Sequence, residues 1–304
     1  MNNSRIAIIG AGDVGATTAY AILLKNIACE ILLVDANQMH CKGQVLDLCD
    51  ALPFYRSSTV RQATLQEAGS ADIILIAAGA RQKPGQSRTE LLTANYTIMT
   101  SIIDGLQPIS PDTIIIVISN PVDILTEFVQ AKAGLPRNQV FGSGTLLDSL
   151  RLRGLLKEKT GIAEQSIQAF ILGEHGDTQF PVWSSASIAG IPITQFPGIT
   201  QPLLDEYANQ SRQKAYDIIA CKQATYFGVA ACVANMCESI LFNQRHVMPI
   251  STYLSNLGVC LSVPCVLGRG GIEQILRQGL DASELEKLAI SAQAIKTIRD
   301  SIQG

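Results

Sequence analysis

The segment Gly173-Glu174-His175-Gly176-Asp177-Thr178 follows the strand-like run Gln168-Ala169-Phe170-Ile171-Leu172 and holds one of only three histidines among 304 residues. An imidazole changes charge near neutral pH, so a histidine in a loop at a strand end suits proton transfer. Upstream, Asp148 and Arg151 stand three residues apart in a helical pattern. At about 100° per residue they fall about 60° apart on one face, whereas Arg153 lies about 140° from Asp148. One acid and one guanidinium can therefore serve a single pocket, with Arg153 directed elsewhere. Taken alone, the pair also fits a surface i, i+3 ion pair, and the histidine an ordinary loop residue.

A second constellation lies near the start of the chain. Gly10-Ala11-Gly12-Asp13-Val14-Gly15 sits between a strand pattern and a helix pattern, and Asp35 closes the next strand 20 residues after Gly15. In that setting the glycines let the backbone approach a pyrophosphate at a helix N-terminus, where free N–H groups and the dipole favour an anion. Asp35 would accept hydrogen bonds from the adenosine ribose hydroxyls and repel a 2′-phosphate, which selects NAD over NADP. The alternative is glycines that serve only a tight turn.

Two more polar segments end strand patterns. The stretch Gly79-Ala80-Arg81-Gln82-Lys83-Pro84-Gly85-Gln86-Ser87-Arg88 precedes a helix expected over residues 89–106, with Gly79 and Gly85 placed as hinges for a lid. Ser119-Asn120-Pro121-Val122-Asp123 ends the next strand and leads a helix expected through about residue 133. Both lie at the carboxyl ends of parallel strands, where open α/β sheets bind ligands. A solvated loop and a helix cap at Asn120 are the plain readings.

These groups need a frame, and the first half of the chain supplies one. Strand patterns at residues 5–10, 29–35, 57–63, 72–78, 113–119 and 139–141 alternate with helical ones. Continuous apolar runs such as Ile73-Ile74-Leu75-Ile76 and Ile114-Ile115-Ile116-Val117 indicate strands buried on both faces. The expected fold is α/β: an N-terminal Rossmann-type doubly wound parallel sheet over residues 1–142, then a C-terminal α+β substrate domain over residues 143–304. In the second part a strand is expected over 166–172, a long helical region over 203–242 broken near 220–222, and a hairpin over 247–254 and 259–267. A closing helix over 283–302 is expected to bury Leu285, Leu288, Ala292, Ile295 and Ile302.

Composition narrows the partners. With 47% hydrophobic and 16% charged residues and a formal charge of −3, the chain reads as globular, with no basic run for nucleic acid or an anionic membrane. No apolar run reaches the roughly 18 residues that span a bilayer, and no signal peptide is visible, so a cytoplasmic protein is expected. The eight cysteines lack C-x-x-C pairs or histidines at zinc spacing, so neither a metal site nor a disulfide framework is expected.

Together the segments 10–15 with Asp35, 79–88, 119–123, 142–151, 173–178 with 180–183, and 222–228 resemble the NAD-dependent lactate/malate dehydrogenase family. The similarity runs in order from Arg5 to the final helix. It implies that His175 is the proton donor and acceptor, that Asp148 fixes its tautomer, and that Arg151 forks onto a substrate carboxylate. It further implies that Arg88 polarises the reacting carbonyl, with Asn120 near the same oxygen. Gly10, Gly12, Val14, Gly15, Asp35, Ala78, Gly79, Ser119, Asn120 and Ser143 are implied to line the NAD.

The resemblance also bears on the substrate. In the malate enzymes of the family an arginine precedes Lys-Pro-Gly and pairs with the second carboxylate; this chain has Gln82 there. An unpaired buried carboxylate costs on the order of 3–5 kcal/mol, so Gln82 favours pyruvate and lactate over a dicarboxylate. Thr225 resembles the residue beside the substrate methyl, while Arg81 would reverse the preference if the loop shifted by one residue. Bulkier substrates such as 2-hydroxyisocaproate stay open, because Gln223 replaces a familiar glycine and the hairpin near 257–259 looks short. Gln168 replaces a histidine of the bacterial enzymes activated by fructose 1,6-bisphosphate, so that activation is expected to be weak or absent. A homo-oligomer, dimer or tetramer, is also implied. From a different class, a non-catalytic NAD-binding protein need not keep His175, Asp148, Arg88 and Arg151 together.

Overall fold

The computed structural model describes residues 4–27, 29–54, 58–80, 88–276 and 279–303. Its first half carries six strands, β1 (Ser4–Ile9), β2 (Cys29–Val34), β3 (Thr59–Gln62), β4 (Ile73–Ile76), β5 (Ile114–Val117) and β6 (Val140–Gly142). They alternate with helices α1 (Asp13–Leu24), α2 (Gln38–Ala51), α3 (Leu65–Ala68), α4 (Arg88–Leu106) and α5 (Val122–Lys132). The strands pair in parallel in the order β3-β2-β1-β4-β5-β6. That order reverses between β1 and β4, and ligands bind at such a switch point.

The apolar runs form strands because both faces are covered. Ile6 and Ile8 of β1 enter one core and Ala7 and Ile9 the other, and β4 and β5 are buried throughout. Strand ends fall one to two residues inside most of the expected limits.

The second half begins with α6 (Leu146–Thr160), which Gly161 ends in a left-handed conformation. Short strands follow: β7 (Ile167–Gln168), β8 (Ile171–Leu172), β9 (Phe180–Pro181), β10 (Ser187–Ile188) and β11 (Ile191–Pro192). The single strand expected over 166–172 is thus two, β7 pairing with β10 and β8 with β9. Helices α7 (Gln201–Lys222) and α8 (Phe227–Leu241) come next. The break between them lies slightly later than expected, because Gln223 caps α7 in the left-handed region at φ +68°. This is the conformation that glycine adopts without strain.

The hairpin β12 (His246–Leu254) and β13 (Val259–Gly268) is followed by β14 (Gly271–Ile275), which the sequence pattern did not indicate. Ser251 of β12 pairs with Gly142 of β6, so these three antiparallel strands extend the parallel sheet to nine strands. The chain closes with α9 (Ala282–Gln303). Ala292 and Ile295 are buried as expected and Leu288 partly so, but Leu285 is 55% exposed. Glu284 turns inward in its place and accepts hydrogen bonds from the Ser184 amide and hydroxyl and from the Asp281 amide. The side chain of Ile302 lies outside the described residues.

Candidate active site

The carboxyl end of β1 turns through Gly10 at φ +104°, where a Cβ would lie 2.7 Å from the Ala78 amide nitrogen. Gly15 packs so closely beneath that a Cβ would meet the Gly10 carbonyl oxygen at 1.8 Å. Only glycine permits this crossing of turn and helix. Gly12 is the N-cap of α1 and supplies no side-chain cap, so first-turn N–H groups remain for a ligand. Asp35 stiffens the turn: one carboxylate oxygen accepts from the Ala11 amide at 2.7 Å and the other from the Asn37 amide at 2.8 Å.

Above this turn opens a cleft of about 880 Å³, lined among others by Gly10, Gly12, Val14, Asp35, Ala78, Gly79, Ser119 and Asn120. Gly15 supports it from below. Ser143 is buried beside β5, its amide donating to the Val117 carbonyl. Ser119 donates its hydroxyl to the Ala78 carbonyl at 2.6 Å and so ties β5 to the loop after β4. Asn95 of α4, 1% exposed, makes a second tie: its Oδ1 accepts from the Ala80 amide and its Nδ2 donates to the Asn120 carbonyl. An extended apolar cleft with an uncapped helix N-terminus and a carboxylate at the end of the second strand fits a dinucleotide.

The proton-transfer group is assembled from three segments. Asp148, in the first turn of α6, is 2% exposed, and its Oδ2 lies 2.7 Å from His175 Nδ1. Its Oδ1 accepts from Arg151 at 3.1 Å, as the helical spacing indicates. Arg153 turns away, donating to the Ala169 carbonyl at 3.0 Å with its guanidinium over the Phe170 ring. The distance from α6 to the histidine loop is set by β8. The Thr145 hydroxyl donates to the Ile171 carbonyl at 2.5 Å, and the Ile171 amide donates to the Ser149 hydroxyl at 2.8 Å.

The loop itself is fixed at several points. Gly173 exchanges two backbone hydrogen bonds with Ser262 of β13. Ser291 of α9 accepts from the Glu174 amide and donates to the Thr178 carbonyl, and the Thr178 hydroxyl donates to Glu174. The His175 amide donates to Asp123 Oδ2 at 2.8 Å. Asp123, Asn95, Ser251 and Ser291 were not singled out as site residues in the sequence, because their partners are far away along it.

Electrostatics follow from burial and pairing. Burial would push the Asp148 carboxyl up, but the charge and hydrogen bond of His175, joined by Arg151, hold it below the ordinary carboxylate value. Burial would likewise pull the imidazole of His175 down, and Asp148, with Asp123 behind it, outweighs that and holds it above its ordinary value. The pair favours an imidazolium against a carboxylate, with about a quarter of the His175 side chain still accessible.

The remaining candidates are placed only in part. Arg88 begins α4, and Thr225 lies half-buried in the segment joining α7 to α8, next to Ala224, which lines the cleft. The side chain of Arg88, and all of Gln82, Arg81 and Gly85, lie outside the described residues.

Residues 4–142 match the NAD binding domain of lactate/malate dehydrogenase, and residues 145–303 match the alpha/beta C-terminal domain of the same family. The chain belongs to the lactate/malate dehydrogenase family. The dehydrogenase is 44% identical to L-lactate dehydrogenase A of Rhizopus oryzae, over 98% of this chain and 93% of that protein. It is 38% identical to an L-lactate dehydrogenase of a Synechococcus species, over 98% and 99%. Its structure superposes on a lactate dehydrogenase from a deep-sea metagenome library with TM-score 0.96 at 30% identity, covering both chains fully. A ligand-bound minor L-lactate dehydrogenase of Enterococcus mundtii gives 0.95 at 32% identity, over 99% of each.

Proposed function

We propose that this dehydrogenase is an L-lactate dehydrogenase that interconverts pyruvate and (S)-lactate, with His175 as the proton donor and acceptor. The observation that carries the reading is that one buried carboxylate, that of Asp148, holds both the His175 ring and the Arg151 guanidinium. A non-catalytic NAD-binding protein has no need of that arrangement. The cleft would hold the dinucleotide, whose reduced form would supply a hydride to substrate C2 and whose oxidised form would receive one from it.

The protein's own groups do the rest. Arg151 presents its remaining N–H groups to the substrate carboxylate, a planar fork that lysine cannot copy. In reduction, His175 gives a proton from Nε2 to the carbonyl oxygen as C2 gains hydride, and the resulting neutral ring keeps its Nδ1 proton on Asp148. In oxidation the same nitrogen takes the hydroxyl proton, and Asp148 stabilises the imidazolium that forms. Arg88 polarises the carbonyl and Asn120 hydrogen-bonds beside it. The family resemblance assigns Gln82 and Thr225 to the methyl end of the substrate.

Gly10, Gly12, Val14, Gly15, Asp35, Ala78, Gly79, Ser119 and Asn120, all within residues 1–142, form the NAD half of the site together with Ser143 at the start of the second domain, and residues 143–304 also supply the proton-transfer pair. The NAD-dependent reduction of pyruvate would serve fermentation in the cytoplasm. None of the described helices is long and apolar enough to cross a membrane. Exposed apolar side chains on α1, α2 and α8, among them Leu24, Met39, Leu46 and Phe227, support a homo-oligomer such as a tetramer. With Gln168 in β7, activation by fructose 1,6-bisphosphate is weak or absent.

The test is steady-state NADH oxidation with pyruvate, oxaloacetate and 2-oxoisocaproate. Pyruvate should give the highest kcat/KM; preference for oxaloacetate would identify a malate dehydrogenase, and for 2-oxoisocaproate a bulkier 2-hydroxy acid dehydrogenase.

A further inference from the structure

The reaction as derived gives no task to the buried acid that contacts the histidine loop. Asp123, in the first turn of α5, is 2% exposed. Its Oδ2 accepts from the backbone N–H of His175 at 2.8 Å, and its Oδ1 accepts from the Ser251 hydroxyl at 2.5 Å. Ser251 is fully buried and is the residue through which β12 pairs with β6. One carboxylate therefore joins α5, the histidine loop and the strand that links the second half to the parallel sheet.

An acid is an expensive choice for this place. Burial pushes the Asp123 carboxyl up to about 6 even though both hydrogen bonds favour the anion. A neutral amide could make two hydrogen bonds there without that cost, so the negative charge needs its own explanation. The titratable groups that face it are the imidazole of His175 and the carboxylate of Glu174 on the loop, and the thiol of Cys260 on β13. Ser251 on β12 is neutral, and from α6 Asp148 and Arg151 meet the same imidazole.

We infer that Asp123 is a positioning residue for proton transfer: its carboxylate clamps the His175 backbone to β12 and sets a second negative charge beside the imidazolium. The inference rests on the role proposed for His175. The clamp limits how far the loop can drift from Asp148, and the charge keeps His175 protonated to higher pH than Asp148 alone would.

Two substitutions in the full-length protein separate these contributions. In Asp123→Asn the amide oxygen can still accept from the His175 N–H, and its nitrogen can donate to a turned Ser251 hydroxyl, so the clamp survives and the charge goes. Asp123→Ala removes both. With only three histidines, and with His40 and His246 exposed, the His175 ring can be followed by NMR titration in the NADH complex. Asp123→Asn should lower the His175 midpoint by about half a pH unit or more, with kcat at low pH within about fivefold of the parent. Asp123→Ala should lower kcat by at least about tenfold, with the NADH dissociation constant unchanged within about twofold.

If Asp123→Ala does not fold, Ser251→Ala breaks the same clamp from β12 and should lower kcat in the same way. An unmoved His175 midpoint in Asp123→Asn would overturn the inference, as would undiminished turnover in Asp123→Ala or Ser251→Ala. Loss of NADH binding in step with turnover would overturn it too, since that marks a general scaffold. Parent protein that turns over no 2-oxo acid would refute the dehydrogenase reading instead, while the midpoint comparison would still decide whether Asp123 acts on His175.

Discussion

Asp148→Asn is the perturbation whose consequence can be worked furthest. The carboxylate is buried and accepts from two cations or potential cations, His175 at Nδ1 and Arg151. An asparagine of the same shape has one acceptor and one donor group to set against two donors. If its amide nitrogen faces His175, Nδ1 must act as acceptor and the proton sits on Nε2, which cannot then accept one from lactate. If its oxygen faces His175, two N–H donors confront each other at Arg151, whose charge has lost its partner. Breaking a buried pair in this way costs about 3–5 kcal/mol. Expressed in the transition state, that is roughly two to three and a half powers of ten in kcat. Stopped-flow NADH formation from lactate measures the turnover, fluorescence titration the NADH affinity, and circular dichroism the fold. A folded variant that binds NADH normally and retains more than about a tenth of the parent kcat would refute this account.

Two further outcomes follow from the same geometry. Because His175 is held above its ordinary value, the imidazolium that pyruvate reduction needs persists to higher pH than a free histidine would allow. Reduction should fall as pH rises through that raised value, and lactate oxidation should rise through it; a reduction limb at or below the free-imidazole value of about 6.5 would contradict this. The stability linkage has the same sign: the His175 contribution is complete below its unfolded value and is lost as pH rises through the folded one. Asp35→Ser should release the amides of Ala11 and Asn37 and admit a 2′-phosphate, lowering the NADH:NADPH ratio of kcat/KM by at least about tenfold. An unchanged ratio would remove Asp35 from cofactor selection.

What the sequence disclosed depended on how local each signal was. The runs at Ile73 and Ile114 marked β4 and β5 because strands covered on both faces leave no polar alternation to misread. Asp148 and Arg151 were legible because one helical turn fixes their relation, and Gly10, Gly15 and Asp35 because strand, turn and helix are consecutive. The contacts that hold His175 are not local. Asp123 stands 52 residues away, Ser291 reaches the loop from the last helix, and Ser251 works from a strand whose place in the main sheet no periodicity reveals. Leu285 shows the opposite failure. Its spacing matched a buried face, but three hydrogen bonds to Glu284 decided which side of α9 turned inward.

The central claim, that His175 moves the proton and leaves cofactor binding to other residues, is tested most directly by His175→Asn. Titration of NADH fluorescence and pyruvate turnover should be measured on the same preparation. NADH affinity within about twofold of the parent, with kcat lower by at least about a thousandfold, is the predicted result. Equal loss of affinity and turnover, or turnover left near the parent value, would contradict it.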